Sequence, residues 1–109
     1  MTDVSVAQAL EMIEQGALLL DVREQDEWDA GHAPQATLIP LSELNQRASE
    51  LDQDRRIVCV CHVGGRSAMV TEALNQAGWD AVNLTGGMRA WQLAGQPVVD
   101  AAGQPGDAR

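Results

Sequence analysis

An apolar run, Ile57-Val58-Cys59-Val60-Cys61, ends in a cysteine, and His62-Val63-Gly64-Gly65-Arg66-Ser67 follows it directly. A strand that empties into a short glycine-bearing loop and then a helix start surrounds its last thiol with backbone N–H donors. It also places that thiol at the positive end of the helix dipole. Both favour thiolate over thiol, and the thiolate is the nucleophile. Gly64 and Gly65 let the loop curl so that its amides converge on one point. The segment reads as an anion cradle built around a reactive Cys61.

The neighbours of Cys61 admit more than one role. Arg66 can bind a substrate anion or hold the loop by bonding its carbonyls. His62 can donate to the anion or tune the thiol, or simply face solvent. Val63 offers its amide rather than its side chain. Ser67 is most simply a helix N-cap, with a hydroxyl bond to the sulfur as the lesser reading. Cys59 reads as a small buried hydrophobe, with a resolving thiol or a metal ligand as alternatives. Strand neighbours point to opposite faces, so Cys59, Cys61 and His62 do not form a metal site. Asp21 and Arg23 read as a structural pair before they read as catalytic groups. His32 is expected to bond backbone near the site, and Gly86-Gly87 to turn a strand into a helix.

These residues need a scaffold, and the chain supplies an alternation of strands and helices. Ser5-Val6-Ala7-Gln8 matches a capping box ahead of Val6, Leu10 and Ile13 at helical spacing, with Gly16 at the end. Ala17 to Val22 is a continuous apolar run, as in a strand covered on both faces. A short helix is expected over Glu24 to Asp29, a brief strand at Thr37-Leu38-Ile39, and a helix from a Ser42 cap through Leu51. The central strand at 57–60 precedes a helix from Ser67 to Ala77. A last strand covers Ala81 to Leu84 and a last helix Met88 to Ala94. This order predicts an α/β domain with a mostly parallel sheet, and Cys61 falls at a strand's carboxyl end, where such sheets bind ligands. From Gly95 the composition thins to glycine, alanine and aspartate. One domain over residues 1–98 and a flexible tail over 99–109 are expected.

Composition narrows the classes further. The 109 residues are 45% hydrophobic and carry sixteen acidic against seven basic side chains, for a net charge of −9. Every basic residue is an arginine, so lysine Schiff-base chemistry is excluded. The acidic balance opposes nucleic-acid and anionic-membrane partners and repels small anions at long range. No apolar run approaches the roughly 18 residues of a membrane span, and the acidic N-terminus does not read as a leader, so the cytoplasm is expected. The length allows a monomer.

Leu20-Asp21-Val22-Arg23-Glu24, Glu27-Trp28, Gly31-His32-Ala33-Pro34, the Cys61–Ser67 loop, Leu84-Thr85-Gly86-Gly87-Met88, Trp91 and Gly95-Gln96-Pro97 follow one another in an order that resembles the single-domain rhodaneses. Gln35 departs from the glycine usual in that family. The resemblance implies a rhodanese-like three-layer α/β domain with helices on both faces of a mostly parallel central sheet. It also implies sulfurtransferase activity through a Cys61 persulfide without metal or cofactor. A donor such as thiosulfate would be held by His62, Val63, Gly64, Gly65, Arg66 and Ser67. The partner would be a small anionic sulfur donor or a protein persulfide. A non-catalytic regulatory or sulfur-carrier module is the alternative. Four residues separate Cys61 from Arg66, one fewer than in the related phosphatases, which points to sulfur rather than phosphoryl chemistry.

Overall fold

Period-two alternation along the apolar runs sorts side chains onto two faces of a sheet, and both faces are covered. The computed structural model describes residues 2–108; Met1 and Arg109, the outer ends of the two expected segments, lie outside the described residues. The elements are β1 (Asp3–Val4), α1 (Val6–Glu14), β2 (Leu18–Asp21), α2 (Gln25–Ala30), β3 (Thr37–Leu38), α3 (Leu44–Arg47), β4 (Ile57–Val60), α4 (Gly65–Gln76), β5 (Ala81–Leu84) and α5 (Gly87–Leu93). The five strands pair in the order β1-β5-β4-β2-β3, every pair parallel. The α/β expectation therefore holds, with a wholly parallel sheet.

β4 lies at the centre of the sheet, and its residues alternate cleanly between the two cores. Val58 and Val60 join Ala9 of α1 and Met88 and Trp91 of α5 on one face. Ile57, Cys59 and Cys61 join Leu44 of α3 and Val70 and Leu74 of α4 on the other. Cys61 is thus delivered to the α4 side of the sheet by register alone. Trp91 is fully buried and donates its indole N–H to the Pro97 carbonyl at 3.0 Å, so the Gly95-Gln96-Pro97 segment is tied to the core.

Local signals account for the helix starts. Ser5 accepts from the Gln8 amide at 3.1 Å while the Gln8 side chain accepts from the Ser5 amide at 2.9 Å, the reciprocal capping box expected for α1. The helix expected from Ser42 through Leu51 differs. Two 3₁₀ turns, Leu41–Glu43 and Ala48–Glu50, flank a four-residue α3. Ser42 caps nothing here, because its hydroxyl donates to Glu24 Oε1 at 2.7 Å across to α2. β1, two residues long, is too short to register as a period and exists because it pairs with β5.

The last segment is hydrogen-bonded back onto the domain. Val99 forms a two-way bridge with His32, at 2.8 and 2.9 Å. Ala101 and Asp107 donate their amides to the carbonyls of Asp29 and Ala30 at the end of α2. Among the described residues, no helix is long and apolar enough to cross a membrane.

Candidate active site

The chain leaves β4 at Cys61 and must reverse within a few residues to enter α4. Gly64 makes the reversal at φ +110°, a left-handed conformation that side chains resist, and serves as the N-cap of α4. Gly65 is already helical and has open space around it. Ser67, expected as the N-cap, therefore lies inside the first turn of α4. Its side chain is free to turn back on the cysteine.

That turn converges on sulfur. Cys61 Sγ accepts from the Gly64 amide at 3.1 Å, the Ser67 amide at 3.4 Å and the Ser67 hydroxyl at 3.3 Å. The residue is 1% exposed. Burial taken alone raises its pKa, but the Ser67 hydroxyl and the amides of Ser67, Gly64 and Arg66 outweigh burial and hold it below the ordinary thiol value. Cys59, two residues back on the same face, has no such cradle. Burial pushes its pKa up to about 11, which leaves it an inert core thiol.

The other loop residues divide. Val63 is 56% exposed at the tip, His62 is half-buried, and the carbonyls of Cys61 and His62 accept from the amides of Met88 and Arg89 at 2.7 and 3.0 Å. The first turn of α5 thereby staples the loop from above, the role that the Gly86-Gly87 turn plays here. Arg66 does not reach into the cradle. Its guanidinium forms a forked pair with Glu27 of α2 at 2.7 and 2.8 Å, while Glu27 also accepts from the Glu24 amide at 3.0 Å. The fork ties the loop to α2 through a carboxylate, rather than through the loop's own carbonyls. Glu27 stood in the sequence only as part of the Glu27-Trp28 motif. Its partner is 39 residues away, and no local signal pairs them.

The Arg66 fork holds the Glu27 carboxyl at about 2, from an ordinary 4.5, and Glu27 in turn pushes the Arg66 pKa up. A carboxylate with a depressed folded-state pKa stabilises above its unfolded value and loses that contribution as pH falls through the folded one. The stability gap between the wild type and Glu27→Gln is thus expected to be full at neutral pH. It should shrink from pH about 4.5 downward and close near pH 2 in thermal melts. A gap that stays constant across that window would sink the assignment.

Asp21 and Arg23 sit at the end of β2, both fully buried. Arg23 bonds both Asp21 carboxylate oxygens at 2.8 to 3.2 Å and reaches the Gly31 carbonyl at 2.8 Å. They brace the end of α2, which carries Glu27. His32 stacks on Trp28 with ring centroids 3.7 Å apart and its Nδ1 lies 2.8 Å from the Trp28 carbonyl, the backbone bond expected of it. Asn83, on β5, stands behind the cradle 2.6 Å from the Ser67 hydroxyl. It was not singled out from sequence, although an amide within the apolar Ala81–Leu84 strand has to find polar partners once buried.

Comparison with known proteins covers this same assembly. A family model described as a rhodanese-like domain matches residues 5–94. The putative sulfurtransferase YtwF of Bacillus subtilis is 36% identical over 97 residues, which are 87% of this chain and 94% of that protein. The putative sulfur carrier protein YrkF of the same organism is 40% identical over 74 residues, 67% of this chain but 40% of that protein. A solved rhodanese-related protein from Thermoplasma volcanium superposes with a TM-score of 0.84 at 34% identity, covering 91% of this chain and 98% of that one. The matched span takes in β2, the Cys61 loop, and the α2 and α5 turns that clamp it, and the chain belongs to the rhodanese-like domain family.

Proposed function

We propose that the chain is a sulfurtransferase that moves sulfane sulfur through a Cys61 persulfide. The observation that carries this reading is the convergence of the Gly64 and Ser67 amides and the Ser67 hydroxyl on Sγ. Relatives named sulfurtransferase or sulfur carrier tie the family to sulfur transfer. In the reaction, the Cys61 thiolate attacks the sulfane sulfur of thiosulfate. A new S–S bond forms as the donor's S–S bond breaks, and sulfite departs with the electron pair. The terminal persulfide sulfur carries the negative charge, and the cradle's donors stabilise it as they stabilise the thiolate. A thiophile such as cyanide then takes the outer sulfur and returns Cys61 as thiolate. The steps require no metal or organic cofactor.

The loop amides of His62, Val63, Gly64, Gly65, Arg66 and Ser67 are the substrate-binding elements in this reading. With Arg66 held by Glu27 and a net charge of −9, the cradle binds a small anion through backbone dipoles more than through free cations. That balance suits a low-charge or protein-borne persulfide donor as well as thiosulfate. It disfavours nucleic acid, and we place the chain in the cytoplasm.

Intact-mass spectrometry before and after thiosulfate, with Cys61→Ser alongside, tests the proposal. One sulfur atom is expected on the wild type, lost on adding cyanide and absent from the variant. A wild-type mass that never changes while the fold is intact would overturn it. The pairing of Arg66 with Glu27 also favours a second reading, a sulfur-carrier module that is loaded by a partner and turns thiosulfate over poorly. Loading from a persulfide donor, but not from thiosulfate, would select that reading.

A further inference from the structure

The Ser67 hydroxyl has one proton and two acceptors. Cys61 Sγ lies 3.3 Å away and Asn83 Oδ1 2.6 Å away. The orientation of the Asn83 amide is dictated by chemistry: its Nδ2 faces Asp3 Oδ1 at 3.3 Å and the Gly64 carbonyl at 3.4 Å, both of which can only accept. Flipping the amide would set oxygen against oxygen at both places, so Oδ1 is fixed as an acceptor toward Ser67. Asn83 itself is 6% exposed and is held in register beside Cys59. Among the described residues, every buried side-chain nitrogen and oxygen has a hydrogen-bond partner.

We propose that Asn83 is a positioning residue that competes with Cys61 for the Ser67 proton and thereby sets how readily the sulfur becomes anionic. With a neutral thiol, Ser67 gives its proton to Asn83 and its oxygen faces the S–H. With an anionic sulfur, thiolate or persulfide, the hydroxyl swings to the charge, because a bond to an ion outweighs one to an amide. Asn83 thus makes the anionic form costlier than the bare cradle would. The inference rests on Cys61 as the reacting sulfur. Its test reads proton affinity rather than sulfur transfer, so the two can fail separately.

The other titratable groups around Cys61 come from several elements and are the same in every variant used except Asn83→Asp, which adds a carboxylate. They are Cys59 on β4, His62 in the loop, Arg66 on α4 with Glu27 of α2, the Asp21–Arg23 pair on the β2 side, Arg89 at the start of α5, and Asp3 of β1 behind Asn83. Thiolate ultraviolet absorbance is followed against pH, with Cys61→Ser as the blank. Asn83→Leu, close to isosteric but unable to accept, is expected to lower the midpoint by about one pH unit, the scale of one redirected hydrogen bond to an ion. Ser67→Ala should raise it. In the Ser67→Ala background, Asn83→Leu should do nothing further, because the relay is gone. Asn83→Asp, which keeps an acceptor and adds a charge, should raise the midpoint, and raise it less in the Ser67→Ala background, where only the charge acts; that difference gives the reading if the leucine variant does not fold. An unchanged or raised midpoint in a folded Asn83→Leu would overturn the proposal. So would an equal drop in the Ser67→Ala background, or an Asn83→Asp rise that is the same with and without the Ser67 hydroxyl.

Discussion

Arg23→Ala is expected to destabilise the domain by about 3–5 kcal/mol, the range for stripping one partner from a buried ion pair. The Asp21 and Arg23 side chains are both 0% exposed, and the carboxylate takes three side-chain bonds from the guanidinium at 2.8 to 3.2 Å. Alanine leaves the Asp21 charge in a site built to neutralise it and removes the donor that Arg23 gives the Gly31 carbonyl. Against a typical total of about 5–15 kcal/mol, such a loss is a large fraction of the whole. Urea denaturation with unchanged slope reads it directly, and a loss below about 1 kcal/mol would show that the pair is not a structural brace. The damage should also reach the cradle, since Gly31 ends α2 and α2 holds Arg66 through Glu27. A loosened loop would then show as slower sulfur loading in whatever fraction remains folded.

Gly87→Ala is the second large effect, and it should strike the site more directly than the core. Gly87 has φ +58°, and a Cβ there would overlap the Cys61 carbonyl oxygen and stand 2.5 Å from that of His62. Those two carbonyls are the ones stapled by the Met88 and Arg89 amides, so relief of the clash must push the Cys61 backbone away from α5. Overpacking costs about 1–3 kcal/mol, and a left-handed conformation adds about 1–2 kcal/mol for a residue with a Cβ. A misplacement on the order of 1 Å at a reacting group can cost about a hundredfold in rate. The expected result is therefore a markedly lower melting temperature together with near-complete loss of persulfide formation. Gly95→Ala is the matched control. Gly95 has φ +81° with nothing within 4 Å of an added Cβ, so it carries the left-handed cost without the clash, and loading should hold near wild type. Equal damage from both substitutions would refute the stapling account.

Chemistry confined to short range is legible in the chain itself. The apolar run into Cys61, the Gly64 turn and the helix after it specify a thiol at a strand's carboxyl end facing a helix start. The Ser5–Gln8 capping box and the continuous runs at 18–21 and 57–60 likewise encode their own elements, since period, capping and turn geometry act over a few residues. Ser67 shows where such short-range signals stop. Its type suits a cap, but Gly64 takes the cap because only glycine makes that reversal at low cost, and the hydroxyl turns to sulfur instead. Ser42 is diverted in the same way by a carboxylate 18 residues distant.

Only tertiary structure decided which long-range partners close the site. The parallel register sets Asn83 beside Cys59 and behind Ser67, the packing of α2 brings Glu27 to Arg66, and the entry of α5 lays its amides on the loop carbonyls. Each contact depends on how elements stack across the sheet, and the spacing of residues along one strand or helix carries no trace of what packs against it. Sequence by itself determined that this chain presents a cysteine at a strand's carboxyl end, facing a glycine turn and a helix start. Packing determined that Glu27 occupies the cradle's arginine and Asn83 shares its serine proton, because hydrogen-bond partners are chosen by proximity in space rather than along the chain.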